Sequence, residues 1–201
     1  MRTFLNVISY IFHPIFIPVM ATVGFFLVTP RMYEFNFKID VSITIAIFTV
    51  FIPILTFILL RRLRMIDTVF VKDVRQRKIP LYLYVLLLFL IVTKIISKSI
   101  FAELYYFFVA TLISAILCLF FVLIRIKASM HMMGIAGLVM FLIVLSISYQ
   151  LNITFALSIL ILMIGIVGSS RLYLKAHTVG ELILGFAIGV IPQLLVMYDW
   201  L

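Results

Sequence analysis

Residues 101–148 read FAELYYFFVATLISAILCLFFVLIRIKASMHMMGIAGLVMFLIVLSIS, two apolar runs of helix length parted by a short break that carries Arg125, Lys127 and Ser129. A hydrocarbon core about 30 Å thick takes about 20 helical residues per crossing, so each run is long enough to span it. Lipid cannot satisfy an open strand edge, so both runs are read as helices and together as a transmembrane hairpin. The pattern continues outward, with further runs near 4–29, 41–60, 81–97, 153–169 and 178–198. Residues Lys94, Ser97, Lys98 and Ser99 supply a tight turn between two runs, and Ser148, Tyr149, Gln150 and Asn152 supply another. The first run departs from a simple span because Pro14 and Pro18 each remove a helix hydrogen bond, which allows a kink or a re-entrant turn. It is too long for a signal peptide and lacks a small-residue cleavage site, so no cleavable leader is expected.

Composition points the same way. The 201 residues are 66% hydrophobic and 11% charged, with mean hydropathy +1.35, whereas a soluble domain is nearer half apolar. The expected fold is all-α, a polytopic membrane bundle of six to seven transmembrane helices, with residues 1–201 forming one integral membrane domain. The net charge of +9 would suggest nucleic acid in a soluble chain. Here the Lys and Arg fall in short segments between apolar runs, so phosphate or lipid headgroups are the expected anions and nucleic acid is not. A single cysteine, Cys118, excludes an intrachain disulfide and a cluster of Cys metal ligands. The seven Asp and Glu are scattered, so neither a metal site nor a cofactor is expected.

If all seven runs cross, residues 61–80, 125–131 and 170–177 share one membrane face with the N-terminus. Of the 16 Lys and Arg, 12 fall on that face, leaving Arg31, Lys38, Lys94 and Lys98 on the other. The positive-inside rule would make the richer face cytoplasmic, unless its charges are there for chemistry.

Two of the three histidines, His131 and His177, also lie on the basic face. Ser170 and Arg171 are followed after five residues by His177 and after three more by Glu181. A helix starting near His177 would put it on one face with Glu181, four residues on. The carboxylate would then fix the imidazole tautomer and leave the other nitrogen free as nucleophile or base. Arg171 suits a phosphate through two parallel hydrogen bonds. Ser129 reads as the N-cap of the next run, where free amides attract anions, and His131 just inside it could protonate a leaving oxygen. The stretch from Lys72 through Arg75, Arg77 and Lys78 to Pro80 adds cations and a helix start. Arg61, Arg62 and Arg64 read as topogenic charges for anionic headgroups, and His13 as a residue of the proline kink or the membrane interface. Gly134, Ala136 and Gly137, with Gly180, Gly185 and Gly189, are spaced for close packing of the fifth and seventh runs.

These elements, in this order, resemble the type 2 phosphatidic acid phosphatase (PAP2) superfamily. Its pattern is Lys, six residues, Arg-Pro; then Pro-Ser-Gly-His; then Ser-Arg, five residues, His, three residues, Asp. The third motif matches in Ser170, Arg171 and His177, with Glu181 for Asp. The second keeps Ser129 and His131, with Ala128 for Pro and Met130 for Gly. The first keeps Lys72 and Pro80 but has Ile79 for Arg, so Arg77 or Lys78 would serve instead. The resemblance covers residues 72–181 and implies a PAP2-like core over about 72–198. It also implies hydrolysis of a lipid phosphate or diphosphate without metal: His177 forms a phosphohistidine, Glu181 orients it, and His131 protonates the leaving group. Lys72, Arg75, Arg77, Ser129, Ser170 and Arg171 would bind the phosphate. Polyprenyl diphosphate, phosphatidic acid, phosphatidylglycerol phosphate and lipid A phosphates are the candidate substrates, and the expected location is the cell (inner) membrane. The altered motifs motivate an alternative, a non-catalytic phospholipid-binding or transport relative.

Overall fold

The computed structural model describes residues 2–64 and 77–201, and the regular structure among them is helical. Two shorter helices, α1 (Arg2–Ile11) and α2 (Ile17–Val28), precede α3 (Phe35–Arg62), α4 (Lys78–Ile95), α5 (Ala102–Leu123), α6 (Met130–Ser148), α7 (Thr154–Tyr173) and α8 (Val179–Asp199). These last six are long and apolar enough to cross a membrane, and large apolar side chains such as Leu55, Phe155, Leu162 and Leu195 are exposed along them. The chain is a multi-pass membrane protein with an all-α bundle.

Prolines explain the departures from simple spans. The run 4–29 is not one helix: α1 stops at Ile11, and α2 begins at Ile17 with Pro18 in its first turn. Pro14 disfavours helical geometry at His13, while Pro18 sits where a missing N–H needs no intrahelical partner. In α3 a π turn over Ile47–Phe51 precedes Pro53, the extra residue easing a proline into a continuing helix. In α8, Pro192 cannot donate to the carbonyl of Ile188. Ser114 of α5 donates to that oxygen instead, at 2.8 Å, and so ties α5 to α8.

Helix α6 is the most enclosed, with α8, α2, α7 and α5 around it. A Cβ on Gly185 would collide with the Ser129 carbonyl oxygen, and one on Gly189 with that of Met133. Glycine lets α8 approach α6 this closely, as small residues do where lipid offers no hydrophobic drive between helices. Gly180 differs from the expectation, because open space surrounds it. Helix α2 lies alongside α6: Ile17 packs at Gly134, and at the far end the Thr29 hydroxyl donates to Tyr149 Oη at 3.5 Å. That far end is closed by Arg31 and Tyr149, which both donate to Glu103 Oε1 at 2.8 and 2.6 Å.

At the other end the loops are short because α5 and α7 turn back sharply. Arg125 and Lys175 adopt left-handed φ of 66° and 50°. Ile126 N–H then reaches Phe121 O, and Ala176 N–H reaches Arg171 O, at 2.8 and 3.0 Å. These contacts satisfy end carbonyls, offsetting about 1 kcal/mol of left-handed strain per non-glycine residue. Both turns feed directly into the predicted site.

Candidate functional site

Helix α8 starts one step later than the His177–Glu181 spacing supposes. Thr178 is its N-cap, accepting from Glu181 N–H at 3.4 Å, so His177 precedes the helix. The pair forms nonetheless, because the cap turn folds His177 back over the first helical turn. His177 Nδ1 donates to Glu181 Oε2 at 2.6 Å, leaving Nε2 with its lone pair. Lys127 Nζ donates to Ala176 O at 2.6 Å and lies 3.5 Å from Glu181 Oε2. Ser129 N–H donates to Glu181 O at 3.0 Å, so the loops before α6 and α8 are fastened to each other. Arg77, half-buried at the start of α4, is within electrostatic range of both Glu181 and His177.

The His177 side chain is 6% exposed. Burial pushes its pKa down to about 4, with Lys127 and Arg77 adding to the effect against the pull of Glu181. The imidazole is therefore neutral near pH 7.

A second group of side chains adjoins this one. His131 is within electrostatic range of His177, but its Nε2–H donates to Ser9 O at 3.2 Å. Its ring also meets His13 edge-to-face, centroids 5.2 Å apart. Arg171 is buried, and its Nη2 donates to Ser9 Oγ, while its Nε has no hydrogen-bond partner. Ser170 Oγ lies 2.7 Å from Ser9 Oγ and donates to Leu5 O at 3.0 Å. Ser129 is fully buried, its Oγ accepting from Met132 N–H at 3.5 Å.

The predicted residues Arg77, Ser129, His131, Ser170, Arg171, His177 and Glu181 thus collect at one end of the bundle. Lys72 and Arg75 lie outside the described residues. Sequence reasoning missed three participants. Lys127 sat in plain view two residues before Ser129; His13 was signalled by being an ionisable group within an apolar run; Ser9 carried no signal, because only the break at Pro14 lays α1 against α7. Among the described residues no group of three or more His, Cys, Asp or Glu is placed to hold a metal. A small cleft of about 20 Å³, room for little more than one water molecule, lies deeper in the bundle, where Pro14, Ile17, Met133, Gly134 and Gln193 line it.

No protein family, no curated protein and no solved structure matches the chain.

Proposed function

We propose that the chain is a membrane lipid phosphatase, a divergent member of the PAP2 superfamily, acting on a lipid phosphate or diphosphate at the cell (inner) membrane. The observation that carries this reading is the His177–Glu181 hydrogen bond. It puts the imidazole proton on Nδ1 and leaves Nε2 as a nucleophile, with Lys127 and Arg77 close enough to act on it electrostatically. In the proposed reaction Nε2 attacks phosphorus and the bond to the leaving oxygen breaks, that oxygen taking a proton from His131 in its imidazolium form. Water then cleaves the P–N bond and gives its proton to His131, freeing phosphate and His177. Glu181 offsets the positive charge on His177 in the intermediate, and Arg171, Arg77 and Ser129 hold the nonbridging oxygens, where charge builds.

The test is phosphate release from a polyprenyl diphosphate and from phosphatidic acid by purified protein in chelator, with and without vanadate. We expect release that vanadate inhibits and that His177→Ala lowers by at least about 10³-fold, as loss of a nucleophile does. Release that survives His177→Ala would sink the histidine mechanism. A second reading, a phospholipid-binding relative without turnover, is favoured by the engagement of both His131 and Arg171 with α1. Lipid binding without release from any of these substrates would select it.

A further inference from the structure

Arg171 is a buried cation that none of the described carboxylates pairs with, and one of its guanidinium nitrogens, Nε, has no hydrogen-bond partner. Such a charge is costly to keep out of water without an anion. What it has instead is a neutral hydroxyl, Ser9 Oγ, delivered by α1. The same face of α1 engages other polar groups nearby: Ser9 O accepts from His131 Nε2–H and Leu5 O accepts from Ser170 Oγ–H, while His13, just beyond the helix, lies against the His131 ring. One short helix thus occupies both the cation and the proton donor that the proposed chemistry requires.

Resting on the phosphatase reading, we propose that Ser9 holds the place of a phosphoryl oxygen on Arg171, so that α1 is a cap which the phosphate group of the substrate must displace. Displacement frees the Arg171 guanidinium for two parallel hydrogen bonds. It also frees His131 Nε2–H from Ser9 O, so that His131, as the imidazolium, can face and protonate the leaving group. Val7 and Ile11 of α1 are already exposed and apolar, so the helix can move within the lipid phase without wetting them. The break at Pro14 lets it do so without dragging α2, which stays packed along α6. The ligand that opens the cap is a tetrahedral phosphoryl group, and Ser9 is a further residue controlling its affinity.

The test uses full-length protein in detergent, with orthovanadate as probe and thermal stabilisation as readout. Ser9→Ala removes the competing hydroxyl and should bind vanadate about tenfold more tightly, the factor that one hydrogen bond to a charged group is worth. Ser9→Asp places a carboxylate on Arg171 and should abolish the vanadate effect while melting no lower than wild type, which separates a locked cap from a misfolded one. As a second check, a Ser9→Cys, Ser170→Cys disulfide should block vanadate binding until it is reduced. Vanadate stabilisation that is equal in wild type, Ser9→Ala and Ser9→Asp, or that persists across the disulfide, overturns the cap and leaves the phosphatase reading standing. No vanadate effect in any variant overturns both.

Discussion

His177 shows how much one residue's surroundings decide. A histidine bonded to a carboxylate would ordinarily gain basicity, yet here burial outweighs Glu181, and the nearby Lys127 and Arg77 reinforce it. With the folded value near 4 and the unfolded value about 6.5, the linkage has a definite sign. The folded state keeps the stability contributed by neutral His177 above about pH 6.5 and loses it as pH falls through 4. A nucleophile that stays neutral should keep hydrolysis running below pH 6.5, with an acid limb near 4. Lys127→Met removes a cation that lowers the His177 pKa, so the limb of kcat against pH should move upward. An acid limb near 6.5 in the wild type, or one that Lys127→Met leaves in place, would show that burial and Lys127 do not govern this imidazole.

At the scale of elements, the site depends on how closely α8 approaches α6. Gly185 faces the Ser129 carbonyl with no room for a methyl group, whereas Gly180, five residues earlier, faces open space. Gly185→Ala must push backbone from backbone, and we expect it to cost about 1–3 kcal/mol, as overpacking does. Because the displaced strand of chain carries Ser129 and leads to His131, it should also lower turnover. Gly180→Ala should be neutral or slightly stabilising, since alanine is the better helix former. Thermal melts in detergent compare the two; equal melting temperatures would mean that the α6–α8 contact is not tight. The glycine spacing could be read in the sequence, but not which glycine bears the contact. Nor could the partner of Ile188 O, because Ser114 lies 74 residues away.

Across the whole molecule, the bundle has two unlike ends. One gathers Arg77, Lys127, Arg171 and the three histidines; the other holds the Arg31–Glu103–Tyr149 cluster. Their separation by alternating spans predicts opposite accessibility. In intact cells a membrane-impermeant maleimide should label only one of Ile126→Cys and Ser99→Cys, both exposed positions, with the native Cys118 silent because it is buried. Labelling at position 126 would put the site on the outer face of the cell membrane. Labelling at position 99 would put it in the cytoplasm, as the basic charge implies. Labelling of both from outside would contradict the alternation.

The sequence by itself determined the membrane, the helices and most of their limits, because hydrocarbon thickness and backbone hydrogen bonding leave an apolar run of 20 residues few alternatives. It also placed seven predicted polar residues at one end, since alternating crossings bring distant boundary segments together. Tertiary structure alone decided what those residues touch. The break at Pro14 folds α1 back onto α7, and so Ser9 reaches Arg171, His13 reaches His131, and the proton of His131 goes to a main-chain carbonyl. Hydrophobic periodicity reports which segments are buried but is silent on which polar groups meet across 161 or 162 residues, and in this site those meetings set both charge and access.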